Sequence, residues 1–325
     1  MNAERTIEFH LAGQVRLDYP ATDVAMLRNL SGCTATGPTL WTVSDEGRTL
    51  ERLTMEVDGY HLSEQIKLDE FIDAVSGSAD EELDLESLEA EGPYLWLCGA
   101  HCRVRRKPEP DEIVSSSIRE RKSRRVLARL RLDETKTRLV EAESLPFEGD
   151  FSLRSTLESD QFLSPFRELP TKENGIDIEG LAVMEDRIFI GLRGPVVGGL
   201  AVVMELFIDE KFRVKSTRPF FLNLQGLGVR ELTRDGASLL VMAGPVGDAP
   251  GPFVLFLWLP EPGSVPIQVY SWGASIEKPE GLCRLQIAGE RGLLVLYDSP
   301  QESRMHGDSY FADWLLPMKA QGTAG

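Results

Sequence analysis

The chain has 325 residues and carries 35 basic and 52 acidic side chains, a formal net charge of −17 at pH 7. This charge argues against binding to nucleic acid, because neutralising phosphates requires a cationic surface. The sequence contains no run of apolar residues long enough to span a membrane. The N-terminal residues lack the pattern of a secretion signal, and the four cysteines are too few for a disulfide framework. We therefore expect a cytoplasmic protein with no membrane or nucleic-acid partner.

An internal repeat dominates the sequence and determines the predicted fold. Five segments align without gaps through their first eleven residues, and the third position of each is apolar. The residues that begin the five copies, here called the repeat-start residues, are Ser31, Glu86, Glu179, Arg230 and Glu280. Successive copies start 50 to 55 residues apart, except for one gap of 93 residues between the second copy and the third.

Each copy begins with a short apolar strand, a turn rich in glycine, proline and acidic residues, and a second strand such as LWTVSD or IFIGLRG. This pattern is typical of a β-hairpin. Two more strand-like runs follow in most copies, so the sequence predicts an all-β fold, a β-propeller with five blades, or six as the alternative. We expect residues 1–325 to form a single domain, in which the N-terminal run TIEFHLAGQVRL completes the last blade.

Two insertions interrupt the repeat. Residues 103–125 carry nine basic and four acidic side chains, a local charge of +5. Residues 150–174 have apolar side chains at helical spacing and predict a short helix. One insertion follows a second strand and the other leads into a first strand, so we expect both to cover the same face. The basic insertion is either an anion-binding lid or a solvated run of charge.

Propeller geometry predicts where a functional site lies. The innermost strand of each blade lines the channel, and the next strand runs antiparallel beside it. The start of the first strand and the end of the second therefore meet at the same face, and the repeat-start residues should crowd one mouth of the channel. The residues that end the second strands and should join them are Asp45, His101, Arg193 and Asp298.

Carboxylates crowded at a channel mouth repel one another unless a cation, an arginine or protons neutralise them. One interpretation is a purely structural ring, in which Arg230 is the counterion of the glutamates. The other interpretation is a ligand site, because titratable groups clustered in a cavity often mark functional sites. Its candidate ligand-binding residues are Asp45, Glu86, Glu179, Arg193, Arg230 and Glu280.

Several segments indicate a family. They are NLSGCTATGPTLWTVSDEGRTLERL from Asn29, DLESLEAEGPYLWLCGAH from Asp84, the run from Asn174 to Leu206, and GLLVLYDSP from Gly292. Together they resemble an uncharacterised bacterial family of propeller-like proteins, defined only as a domain of unknown function, over nearly the whole chain. That resemblance implies a fold and no activity.

The repeat is more distantly similar to phytase-like propellers and to gluconolactonase-like or strictosidine-synthase-like propellers. This resemblance implies that Glu86, Glu179 and Glu280 hold Ca²⁺ or another divalent cation. Ser31 and Arg230 depart from that pattern, because a metal site prefers carboxylates at their positions. An arginine in the ring favours an anionic ligand instead.

Two functions therefore compete. The first is a binding module that holds a small polar or anionic ligand, or a protein segment, at the charged mouth, with Arg193 and Arg230 binding the anion. The second is a metal-dependent hydrolase of the phosphoesterase, lactonase or glycosidase type, in which the glutamates hold the ion and His101 or Asp298 is the acid–base residue. Direct pairing of Arg230 with the glutamates that fills the channel would count against the metal site.

Overall fold

The computed structural model describes residues 7–20, 24–72, 81–273 and 277–318. Within these ranges the regular structure is mostly β-strand, and no helix is long and apolar enough to cross a membrane. The strands are β1 (Phe9–Asp18), β2 (Leu30–Thr36), β3 (Thr39–Ser44), β4 (Thr49–Met55), β5 (Tyr60–Lys67), β6 (Leu85–Glu91), β7 (Tyr94–Gly99), β8 (Arg103–Arg105), β9 (Ile118–Glu120), β10 (Leu127–Leu132), β11 (Leu139–Ser144), β12 (Asp177–Met184), β13 (Arg187–Val197), β14 (Leu200–Ile208), β15 (Val214–Leu222), β16 (Gly228–Asp235), β17 (Ser238–Gly244), β18 (Phe253–Trp258), β19 (Ile267–Trp272), β20 (Lys278–Ile287), β21 (Glu290–Asp298), β22 (Met305–His306) and β23 (Ser309–Pro317). The α-helices are α1 (Val24–Leu27) and α2 (Leu153–Ser159), and 3₁₀ helices span Leu68–Glu70, Lys122–Arg124, Ser164–Phe166 and Glu302–Arg304.

The strands form sheets of four that follow the sequence repeat. Three antiparallel sheets have the orders β6-β7-β10-β11, β12-β13-β14-β15 and β16-β17-β18-β19. A larger sheet has the order β2-β3-β4-β5-β1-β23-β21-β20, and its two antiparallel halves meet where β5 pairs in parallel with β1. This arrangement is a β-propeller and confirms the predicted fold class, while five stays the predicted number of blades.

Each copy of the repeat supplies one innermost strand. These strands are β2, β6, β12, β16 and β20. Each of them contacts the next in chain order, and β20 contacts β2. They are buried along most of their length, because neighbouring blades pack against them on both sides. The starts of these strands lie together at one mouth of the channel.

The N-terminal strand joins the two ends of the chain. β1 pairs antiparallel with β23 over nearly its whole length and meets β5 at its last two residues. The expected run begins at Thr6, which lies outside the described residues. Val15 and Leu17 are buried in an apolar cluster with Tyr60 and Tyr310. Because an unpaired sheet edge can pair with other chains, this strand also protects the edge of the last sheet.

The apolar core lies between neighbouring sheets. Trp41 is fully buried with Leu88 and Leu97 of the next sheet. Trp96 likewise packs with Leu181 of the sheet that follows. The repeat therefore uses its aromatic position to fill the space between blades.

The two insertions have regular structure. Residues 103–125 form the hairpin of β8 and β9 and a 3₁₀ helix. Residues 150–174 contain α2, which confirms the predicted short helix. Ser152 caps this helix by accepting the backbone N–H of Ser155 at 3.2 Å, and the helix buries Leu153.

We expect Leu17→Ala to weaken the closure of the ring. Leu17 is fully buried where β1 meets β5, and removing such a side chain lowers the free energy of unfolding by about 2–5 kcal/mol. Leu11→Ala in the same strand is the matched control, because Leu11 is 52% exposed. Urea unfolding followed by tryptophan fluorescence measures both variants. Equal losses of stability would contradict this role of the strand.

Candidate functional site

The repeat-start residues all occupy irregular positions in the innermost strands. The register between β2 and β3 shifts between Leu30 and Gly32, so Ser31 has no direct partner. Register shifts of this kind also leave the other repeat-start residues without a direct partner on the neighbouring strand. These residues are Glu86, Glu179, Arg230 and Glu280. A β-bulge bends its strand and re-aims a side chain. The repeat thus places one redirected side chain from each innermost strand at the same end of the channel.

A cavity of about 570 Å³ opens at this end of the channel. Its volume is that of a small-molecule site, but nine basic and eight acidic residues dominate its lining. The acidic residues are Asp45, Glu46, Glu82, Asp84, Glu86, Glu179, Glu280 and Asp298. The basic residues are Arg105, Arg106, Lys107, Arg119, Arg121, Arg124, Lys172, Arg193 and Lys278.

The structure brings most of the predicted site residues to this cavity. Those that line it are Asp45, Glu86, Glu179, Arg193, Glu280 and Asp298. Ser31, His101 and Arg230 do not line it. The hydroxyl of Ser31 is buried and donates to the carbonyl of Leu85 at 2.5 Å.

Arg230 lies beneath the cavity, buried between two glutamates. Its Nη2 donates to Oε1 of Glu280 and lies 3.2 Å from Oε2 of Glu179. All three side chains are buried. Arg230 is therefore the counterion of two of the three glutamates, and Glu86 is not part of this group.

Arg193 holds Glu179 from another side. Its Nη1 lies 2.7 Å from Oε1 of Glu179, and its Nε donates to Oδ2 of Asp177 at 2.7 Å. Nη2 donates to the hydroxyl of Thr171. Burial raises the pKa of Glu179, whereas Arg193 and Arg230 act in the opposite direction by favouring the carboxylate. Because all of its guanidinium nitrogens have partners, Arg193 serves first to fix the carboxylates.

A second group of ion pairs forms the wall beside the basic insertion. Arg124 Nη1 lies 2.6 Å from Oδ2 of Asp84, and its Nη2 lies 2.7 Å from Oε2 of Glu82. Arg121 lies 3.3 Å from the same Glu82 oxygen. Burial raises the pKa of Asp84 to about 6, although Arg124 opposes this rise.

Asp45 and Glu86 line the cavity without an ion pair. Among the residues that the structure describes, the side chain of Glu86 has no hydrogen-bond or ion-pair partner, and Oδ1 of Asp45 is buried with no hydrogen bond. Burial raises the pKa of Asp45 to about 8, with further increases from Asp84 and Asp298. Burial also raises the pKa of Glu86 well above its usual range, and the charge of Glu179 raises it further. Within the described residues, no ion pair neutralises this part of the cavity.

The two candidate acid–base residues lie in different places. His101 is buried away from the cavity, and its Nε2–H donates to the carbonyl of Val126 at 3.1 Å. Burial lowers the pKa of His101 to about 3, so the imidazole is neutral at physiological pH. Asp298 lines the cavity, and Nζ of Lys278 lies 3.5 Å from its Oδ2.

Of the nine cations of the cavity, sequence reasoning singled out only Arg193. Six of the nine come from residues 103–125, whose local charge of +5 was the available signal. Lys107 and Arg119 are exposed, and within the described ranges neither has an ion-pair partner. Lys172 lies in the second insertion, which was expected to cover the same face, whereas Lys278 had no such signal.

The three glutamates suggested as metal ligands do not form a compact group. Within the described parts of the chain, the group of three whose ligand atoms lie within 4.8 Å of one another is Asp18, Asp58 and His61. This group lies where β1 meets β5 and could hold a metal ion. Arg16 forms ion pairs with both aspartates there, and its charge opposes the binding of a cation.

We expect Arg230→Met to destabilise the protein by about 3–5 kcal/mol, because it leaves Glu179 and Glu280 buried with less neutralisation. Arg131→Met is the matched control. It removes an exposed pair with Glu141 and should change the free energy of unfolding by about 0–1 kcal/mol. Chemical unfolding at pH 7 compares the two. A loss for Arg230→Met no larger than the control would show that the buried pairs are not needed.

The raised pKa of Asp45 predicts a pH dependence of stability. Its folded pKa of about 8 exceeds the usual 3.8, so the folded state binds the proton more strongly between these pH values. The contribution of Asp45 to the free energy of unfolding therefore falls as the pH rises, by up to about 1.4 kcal/mol per pH unit. Asp45→Asn should gain stability relative to the wild type between pH 5.5 and pH 8, as measured by urea unfolding. The exposed Asp308→Asn is the control, and a constant difference for Asp45→Asn would contradict the prediction.

Comparison with solved structures finds similar chains of low sequence identity. It is similar to the crystal structure of glutaminyl cyclase from Myxococcus xanthus, with 9% identity and a TM-score of 0.49 over 96% of this chain and 98% of the other. It is also similar to the PQQ-bound aldose sugar dehydrogenase from Streptomyces coelicolor, with 12% identity and a TM-score of 0.43 over 96% and 98% of the two chains. A comparison with curated proteins gives no match.

The family model described as "Protein of unknown function (DUF3616)" matches residues 29–313. That span contains all five repeat-start residues and both insertions. The match confirms the resemblance to a propeller-like family of unknown function. The chain therefore belongs to the DUF3616 family.

Proposed function

We propose that the protein is a binding module that holds a small polar ligand with an anionic group in the cavity at the channel mouth. The observation that carries this proposal is the cavity of about 570 Å³ whose lining includes two basic residues without an ion-pair partner in the described chain, Lys107 and Arg119. The volume supports a small molecule rather than a folded protein segment.

The other cations of the basic insertion are already engaged. Arg105 donates to Oε2 of Glu173 at 2.7 Å, and Arg106 pairs with Glu112 at 2.6 Å. Lys107 and Arg119, in contrast, offer free ammonium and guanidinium donors. Such groups bind phosphate and carboxylate through charge-assisted hydrogen bonds. They support an anion-binding role for this insertion.

The same geometry gives less support to a metal-dependent hydrolase. Arg230 pairs with Glu179 and Glu280, so a cation at these oxygens would have to compete with a guanidinium. His101 is buried and neutral and therefore a poor proton donor. Binding without turnover is the function that these contacts favour.

We expect the double variant Lys107→Ala/Arg119→Ala to bind inorganic phosphate at least tenfold more weakly than the wild type. Each charge-assisted hydrogen bond contributes about 1.5–3 kcal/mol, and tenfold corresponds to about 1.4 kcal/mol. Isothermal titration calorimetry at low ionic strength gives both dissociation constants.

The matched control is Lys215→Ala/Arg291→Ala, which removes two exposed cations outside the cavity. It carries the same change in net charge, so it measures any general electrostatic effect. Absence of phosphate binding by the wild type, or equal weakening in both double variants, would refute the proposal.

A further inference from the structure

The cavity has an acidic side on which only part of the charge is neutralised. Five of its carboxylates have basic partners within 3.5 Å, and four of these pairs are Glu82 and Asp84 with Arg124, Glu179 with Arg193, and Asp298 with Lys278. Glu280 pairs with Arg230, and Glu46 is exposed to solvent. Asp45 and Glu86 are partly buried and have no basic partner in the described chain.

An unpaired carboxyl group at such a position is costly. Buried polar atoms almost always have a hydrogen-bond partner, and Oδ1 of Asp45 has none. Glu86 adds a second carboxyl group close enough to Asp45 for their charges to interact. Both pKa values are raised, mainly by burial. A cationic group supplied by a ligand would remove this cost, because it satisfies the oxygens and favours their charged form.

The chemistry of the surrounding residues favours an ammonium group over a metal ion. Ca²⁺ takes six to eight oxygen ligands, and within the described residues no third carboxylate completes a compact group with Asp45 and Glu86. The guanidinium of Arg193 also lies close enough to interact with Glu86 and repels a divalent ion more strongly than a monovalent one. A primary ammonium carries a single charge and three donors, which suit two carboxyl groups.

We propose that the ligand is a small molecule with a primary ammonium group and an anionic group such as phosphate, bound with the ammonium at Asp45 and Glu86 and the anion at Lys107 and Arg119. This inference rests on the proposed function, because the basic insertion supplies the anion-binding end. Asp45 and Glu86 supply the selectivity for an amino compound over a neutral analogue. A neutral analogue would leave the two carboxyl groups unpaired, and sites built for a donor reject ligands that lack it.

Two matched pairs of probes test the proposal. Glucosamine 6-phosphate and glucose 6-phosphate differ by an ammonium group in place of a hydroxyl, as do 3-aminopropyl phosphate and 3-hydroxypropyl phosphate. Calorimetry at pH 7 should show that the amino member of at least one pair binds at least tenfold more tightly. The preference should disappear in Asp45→Asn/Glu86→Gln, which should still bind inorganic phosphate and so report that the cavity is intact. Glu134→Gln, at an exposed position outside the cavity, should keep the preference.

A proton balance gives a second readout. Because the pKa of Asp45 is about 8, this group is mostly protonated at pH 7, and binding of an ammonium should release a proton. Titrations in buffers of different ionisation enthalpy measure that release for the wild type. It should be smaller in Asp45→Asn and smaller for the hydroxyl probes, whose phosphate group releases only a fraction of a proton.

The outcomes separate this inference from the proposed function. If the wild type binds both members of each pair equally, or if the preference survives in Asp45→Asn/Glu86→Gln, the ammonium site is wrong although anion binding stands. If no phosphate compound and no inorganic phosphate binds, the proposed function itself fails. If Ca²⁺ alone binds, and Glu86→Gln abolishes that binding, the carboxyl groups form a cation site and the inference is overturned.

Discussion

Crowding of like charges at one end of a narrow channel is the constraint on which the site depends. Five strands each present one redirected side chain there, and closed packing leaves these side chains no room to move apart. Arg230 meets the constraint for Glu179 and Glu280 by lying between them. Glu86 is outside that group and faces the cavity. The single arginine among the five repeat-start residues thus separates two parts of the mouth. Glu179 and Glu280 are paired with Arg230, whereas Glu86 has no ion pair in the described part of the chain.

The location of the site could largely be predicted from the sequence, because a repeat shows which residues occupy equivalent positions in the blades. Residues at the same place in each copy occupy the same place in each blade, so Glu179, Arg230 and Glu280 could be assigned to one mouth before any contact was known. The same reasoning placed Asp45 and Asp298 at the cavity. It also predicted the fold class, since four short strands per copy leave few other architectures.

The rest depends on geometry that a repeat does not encode. The β-bulges arise from backbone register, which the apolar pattern does not reveal. His101 lies two residues beyond the end of β7, where its backbone φ is 52°, and the imidazole is buried. Arg193 was assigned to an anion, yet its donors are taken by acidic neighbours. Which cations of the insertion stay free was also not predictable, because some of the partners lie far along the chain, as Glu173 does for Arg105.

The pairing of β1 with β23 has a consequence for synthesis of the chain. Phe9 is paired with Pro317, so the ring cannot close until Pro317 has left the ribosome. Until then the first and last sheets each have an open edge, and such edges are prone to association with other chains. Contacts this distant along the chain also slow folding. The lining of the cavity, whose residues come from Asp45 to Asp298, cannot be complete until Asp298 has been synthesised.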